Sequence, residues 1–177
     1  MNPISRQKDP PSHAARLQGL PAVVSTETRL LVLGSFPGVA SLRAGQYYAH
    51  PRNHFWPILG AVWGCDLVAL PYARRLQVLL DHGLGLWDIY ASCKRVGSLD
   101  QAIQDARPND LVSLRLLAPD LRGVAHNGSE SARARRQVEA QGWEVHRLPS
   151  TSPANASWSF ARKLQAWRSV LDGFGVA

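Results

Sequence analysis

The chain is predicted to be an α/β protein built on a parallel sheet, and three features predict it. Short apolar runs at residues 30–33, 86–90, 123–126 and 143–148 alternate with segments of helical period. The first run, Leu-Leu-Val-Leu, is continuously apolar, as expected of a strand covered on both faces. Strands that alternate with helices imply parallel pairing through right-handed crossovers.

In chain order, Met1 to about Leu20 mixes Pro, Ser, His and basic residues without a period and reads as a flexible N-terminal tail, leaving 21–177 as one domain. The strand at 30–33 breaks at Gly34. Residues 53–63 read as a helix, with Phe55, Trp56, Leu59 and Trp63 at helical spacing, so core packing is the favoured use of Phe55 and Trp56. A second helix covers about 72–82 and stops at Gly83. The strand at 86–90 leads into a polar loop, Ser92–Arg95 and Gly97-Ser98, and 99–106 is expected to be a short helix. Another helix at 110–117 is halted by Pro119, and the strand at 123–126 ends at Asn127-Gly128. Residues 129–140 carry a helical pattern opened by a serine, 143–148 alternates as a strand does, and an amphipathic helix capped by Ser157 closes the chain over 157–171.

At 177 residues the chain can bury one core without staples. Its net charge of +7, with Arg-rich segments at 133–136 and 162–168, favours an anionic partner such as nucleic acid. Cys65 and Cys93 alone make neither a zinc knuckle nor an iron–sulfur site, and the histidines lack ligand spacing, so no metal or cofactor is expected. The Gly34–Gly38 loop lacks both the Gly-Lys-Ser/Thr of a P-loop and the pattern of a dinucleotide site. No apolar run reaches the roughly 18 residues of a membrane span. With no secretory h-region either, a reducing cytoplasm is the expected location.

Chemistry is concentrated where strands end. Gly34-Ser35-Phe36-Pro37-Gly38 follows the first strand, and ligands of α/β proteins collect outside the carboxyl ends of parallel strands. Glycines there let backbone N–H groups approach a phosphate or base, and Tyr47 and Tyr48 offer faces on which a base can stack. Asn127 sits at the end of the third strand. Its amide can give and accept at once, matching O6 and N1–H of hypoxanthine or O4 and N3–H of uracil, although an asparagine before glycine also suits a plain turn. Ser150-Thr151-Ser152-Pro153-Ala154-Asn155 follows the fourth strand as a stiff, hydroxyl-rich loop able to contact phosphates.

These pieces, together with His50-Pro51-Arg52-Asn53-His54-Phe55-Trp56 and His126-Asn127-Gly128, resemble the uracil-DNA glycosylase superfamily over about residues 29–171, most closely its hypoxanthine-DNA (deoxyinosine) glycosylase branch. The resemblance implies a three-layer α/β/α sandwich whose four parallel strands run in the order 2-1-3-4. It also implies roles. Many superfamily members carry Asp or Asn inside the first glycine loop, where this chain has Phe36; the water-positioning duty then falls to Asn53, which is also placed to cap the helix it precedes. Gly34, Ser35 and Phe36 would line the base pocket, Tyr48 would stack on the base and Asn127 would read its edge. Ser150, Thr151, Ser152, Pro153, Ala154 and Asn155 would meet the DNA and fill the space left by the flipped nucleotide. The last motif lacks the histidine that often stabilises departing uracil, which weighs against uracil as the preferred base.

The expected function is therefore a monomeric, cofactor-free, monofunctional DNA glycosylase that flips out deaminated bases, hypoxanthine first, and releases them by water attack. Apart from Lys94, no lysine lies in the matched loops to form a Schiff base. A uracil- or mismatch-specific glycosylase, or a non-catalytic basic domain that binds nucleic acid, are the alternatives.

Overall fold

The computed structural model describes residues 15–177. Its centre is a parallel sheet of four strands, β2 (Leu30–Gly34), β3 (Leu84–Asp88), β6 (Gly123–Asn127) and β7 (Glu144–Leu148), in the order β3-β2-β6-β7. This is the expected 2-1-3-4. Register runs Leu30↔Leu84 to Gly34↔Asp88 on one side of β2 and Leu30↔Gly123 to Leu33↔His126 on the other.

The continuous apolar run of β2 has the expected cause. Its side chains alternate between two cores, because successive residues of a strand face opposite ways. Leu30 and Val32 pack with α2 (Phe55–Trp63), α3 (Tyr72–Asp81) and α6 (Phe160–Gly173), while Leu31 and Leu33 pack with α4 (Leu114–Leu117) and α5 (Arg135–Glu139). Helices therefore cover both faces. Phe55 and Trp56 are buried in the first of these cores.

Several local expectations need correction. Residues 99–106 are not a helix: a single 3-10 turn at Asp100–Ala102 is followed by strand β5 (Gln104–Pro108). The polar segment expected as a loop is largely strand β4 (Tyr90–Lys94), and Ile89 separates it from β3. The reason is tertiary. β4 finds antiparallel partners on both sides, β5 and β1 (Arg16–Gln18), giving a second sheet in the order β1-β4-β5. Arg16–Gln18 thus belongs to a strand although it falls within the expected tail; residues 1–14 of that tail lie outside the described residues. The expected helices at 110–117 and 129–140 each begin as a 3-10 turn, Leu111–Ser113 and Ser131–Ala134, before α4 and α5. The closing helix is capped by Ser159, whose Oγ accepts from the Arg162 N–H, rather than by Ser157. The short helix α1 (Val39–Ala44), between Gly38 and Gly45, has no counterpart among the sequence expectations.

Candidate functional site

All four parallel strands deliver their carboxyl ends to one cavity of about 720 Å³, lined by Gly34–Gly38, Tyr48, Asn53, Asp88, Asn127 and Ser150–Asn155 among others. Every site residue expected from sequence lines this cavity. The volume lies within the usual range for small-molecule sites.

Tyr48 is positioned by three constraints. Its backbone is left-handed, φ 56°, an unusual state for a residue with a large side chain that costs on the order of 1 kcal/mol. One face of its ring stacks on Phe55, with centroids 4.0 Å apart and planes at 21°. Its hydroxyl accepts a hydrogen bond from Asn127 Nδ2 at 3.1 Å. The neighbouring Tyr47 is buried instead, and its hydroxyl is spent on the Leu20 and Pro21 carbonyls. The half-buried ring that faces the cavity is therefore Tyr48.

Asn127 is a junction between loops. Besides Tyr48, its Nδ2 donates to Thr151 Oγ1 at 2.9 Å, and its Oδ1 accepts from the Thr151 N–H at 2.9 Å. Both amide donors are engaged, which leaves one lone pair of Oδ1 for a ligand. Gly128, at φ 101°, lets this corner meet the next loop, since a Cβ there would lie 3.0 Å from Ser150 Cβ.

Asn53 is not the cap of α2, a position held by His54; its Oδ1 accepts from the Phe55 N–H at 2.9 Å and braces the turn before the helix, while its Nδ2 is left for the cavity. The adjacent His54 N–H donates to the Thr151 carbonyl at 3.0 Å, joining this segment to the Ser150–Asn155 loop. Burial and the nearby Lys163 ammonium hold the His54 pKa below its ordinary value.

The Ser150–Asn155 loop is braced from within and from behind. Ser152 N–H donates to Ser150 Oγ, and Asn155 Nδ2 donates to the Ser150 carbonyl at 3.0 Å. From α6, the buried Lys163 donates from Nζ to the Asn155 carbonyl at 3.0 Å, and Trp167 Nε1 donates to the Pro149 carbonyl at 3.1 Å. Desolvation lowers the Lys163 pKa. Nothing in the sequence singles out Lys163; a lysine on an amphipathic helix looks solvated until the loop above it is placed.

Phe36 is 6% exposed and lies beneath the Arg95 guanidinium, 5.1 Å from the ring centroid. Arg95 also donates to the Pro37 carbonyl, so the glycine loop is clamped from outside the sheet. Ser35 Oγ donates to Asp100 Oδ1 at 2.6 Å.

Asp88 carries little weight in the sequence, yet it is the most unusual group in the cavity. It is 4% exposed at the end of β3, and its Oδ2 has no hydrogen-bond partner. Burial first, then the Asp100 carboxylate, pushes its pKa up to about 7, with Arg95 opposing. Gly34 makes room for it: a Cβ at Gly34 would fall 2.3 Å from Asp88 Oδ1 and 3.4 Å from the Tyr48 hydroxyl.

Among the described residues no three His, Cys, Asp or Glu side chains converge as a metal site, and no helix is long and apolar enough to cross a membrane. An aromatic face, two amides, a buried carboxyl and a hydroxyl-rich loop around one cavity suit a flat heterocycle on a phosphate-bearing strand.

The chain is 40% identical over 146 residues to the hypoxanthine DNA glycosylase of Methanosarcina barkeri, covering 82% of this chain and 92% of that protein. It is 36% identical over 154 residues to the hypoxanthine DNA glycosylase of Methanosarcina acetivorans, covering 87% and 97%. A solution NMR structure of a Methanosarcina acetivorans protein described as a candidate uracil DNA glycosylase superposes with a TM-score of 0.82 at 34% identity, over 90% of this chain and 99% of that one. The profile of the uracil DNA glycosylase superfamily matches residues 21–171, which span the sheet, its helices and the loops around the cavity. By fold and by sequence, the chain belongs to the uracil DNA glycosylase superfamily.

Proposed function

We propose that this protein is a DNA repair glycosylase that hydrolyses the N-glycosidic bond of deaminated bases, with hypoxanthine in deoxyinosine as the preferred base. The observation that carries this reading is the convergence of Tyr48, Asn53, Asn127 and the Ser150–Asn155 loop on one cavity. The names of the two Methanosarcina relatives support hypoxanthine as the base.

The base is flipped from the duplex and stacks on the free face of Tyr48, whose other face is held by Phe55. Asn127 accepts from N1–H of the base through the free lone pair of Oδ1. Gly34, Ser35 and Phe36 wall the pocket. Asn53 directs water toward C1′, using Nδ2 and the second lone pair of Oδ1. As the C1′–N9 bond breaks, its electron pair goes to the base, and the water oxygen bonds to C1′. The Ser150–Asn155 loop contacts the DNA backbone and fills the vacated space, and its bracing by Lys163 and Trp167 means that little ordering is needed on binding. In this role the protein acts as a monomer, without metal or nucleotide, in a reducing compartment where Cys65 and Cys93 remain free.

The test is an abasic-site assay on oligonucleotides carrying inosine, uracil or xanthine, with chelator present. Release of hypoxanthine ahead of the other bases, leaving an unbroken strand until alkali is added, is expected. Tight DNA binding with no base release would instead favour a non-catalytic nucleic-acid-binding domain.

A further inference from the structure

The departing base needs a hydrogen-bond or proton donor, because the electron pair of the broken C1′–N9 bond accumulates on it. Several side-chain donors that line the pocket are committed to the protein. Asn127 gives both of its amide hydrogens to Tyr48 and Thr151, and Ser35 gives its hydroxyl proton to Asp100. The Asn53 amide is assigned to the water. At the end of β3, by contrast, Asp88 is buried with Oδ2 unpartnered, in the cavity wall and against the one glycine whose missing side chain makes room for it.

We propose that the Asp88 carboxyl donates its proton to the departing purine, at O6 or N7, as the glycosidic bond breaks. This rests on the glycosylase reading above. The balance is complete: the proton moves from the carboxyl to the purine, the bond pair enters the purine ring, and the purine leaves neutral. Water adds to C1′ and loses one proton, which restores the acid form of Asp88. No other reactant is required.

The surroundings suit that task. Desolvation and the Asp100 carboxylate hold the Asp88 pKa near 7, Arg95 opposes them, and the Tyr47 and Tyr48 phenols, raised by their own burial, stay neutral beside it. A general acid works best with a pKa near the working pH. A carboxyl that was ionised throughout the physiological range would repel the developing anion.

The experiment is single-turnover release of hypoxanthine from a deoxyinosine duplex between pH 5.5 and 9, for wild type, Asp88→Asn and Tyr48→Phe, with thermal melting of each protein. Wild-type rates should fall above about pH 7, approaching tenfold per pH unit. Asp88→Asn keeps the size of the side chain but has no proton to transfer, so its rate should drop about 10²-fold or more at pH 6 and lose the decline. Tyr48→Phe should keep the decline, because the competing donor is not the one that titrates. Three results would overturn the proposal: a folded Asp88→Asn protein with a near wild-type rate, a slowed one that keeps the wild-type pH profile, or a wild-type profile flat across pH 7. A wild type that releases no base from any duplex would overturn the glycosylase reading itself, whereas an active wild type with an unaffected Asp88→Asn variant overturns this inference alone.

Discussion

Asn127 holds the Tyr48 hydroxyl at 3.1 Å, and through this bond the end of β6 sets the tilt of the ring expected to receive the base. The same amide grips Thr151 twice, so the ring and the Ser150–Asn155 loop are positioned by one side chain. Removing either partner should therefore affect both. In a double-mutant cycle, Tyr48→Phe and Asn127→Ala should show a coupling of about 1 kcal/mol in thermal stability. Asn127→Ala alone should cost more than Tyr48→Phe alone, because it also strands the Thr151 N–H. Strict additivity, measured by denaturation, would mean that the bond does not organise the pocket.

Tyr48→Ala should weaken binding to duplexes with an extrahelical base by roughly 1–3 kcal/mol, the usual contribution of one base–aromatic stack. Binding to an abasic product should fall much less. The comparison requires only equilibrium titration of the two DNAs, and equal losses would place Tyr48 in backbone contact instead.

Asn53 makes one bond that the structure shows and has one proposed duty, to hold the water. Its bond to the Phe55 N–H braces the turn leading into α2, and losing such a bond costs about 1 kcal/mol of stability. In the proposed role its effect on water would be felt in the transition state, so Asn53→Ala should lower the single-turnover rate by orders of magnitude with DNA affinity near wild type. Asn53→Asp restores the acceptor for the Phe55 N–H and should recover stability. A stable Asn53→Ala variant with normal base release would assign the water to another group.

Gly34→Ala should be damaging although it adds one methyl group. The new Cβ would meet Asp88 Oδ1 at 2.3 Å at a place where neither strand can yield. Overpacking of this kind costs about 1–3 kcal/mol, and displacement of Asp88 or Tyr48 should lower base release beyond what the melting temperature explains. Rate and melting temperature measured together check this.

Asp88 also makes stability depend on pH in a direction opposite to a salt-bridged carboxylate. Its pKa in the folded protein is near 7, above the ordinary 3.8, so between these values the native state holds more protons than the unfolded chain. Stability from this group is present below about pH 4 and declines as pH rises to about 7, by an amount on the order of a few kcal/mol. Asp88→Asn should accordingly stabilise the protein at pH 8 and have little effect at pH 4. Denaturant titrations at the two pH values give the difference directly.

Much of the site is legible along the chain, because its residues are carried by contiguous segments at strand ends. The Gly34–Gly38 loop, Tyr47-Tyr48 with Asn53, Asn127-Gly128 and the Ser150–Asn155 loop are each compact in sequence, and the alternation of strand and helix sends them to one edge of the sheet. The two-core packing of β2 is likewise implied by its unbroken apolar run.

What the sequence by itself determined was the four parallel strands, their alternation with helices and the group of loops around the cavity; each depends on local periodicity or on residues adjacent along the chain. Tertiary structure alone decided the rest. β4 and β5 carry no strand pattern in the sequence and read as loop and helix, and became strands only because Arg16–Gln18 and residues 104–108 supply backbone partners. The commitments of the Asn127 amide, the buried ammonium of Lys163 and the raised pKa of Asp88 depend on groups up to 79 residues apart in sequence, as with Asn127 and Tyr48. Hydrogen bonds and desolvation act through space over a few ångströms, so no pattern along the chain can announce them until the fold has brought the partners together.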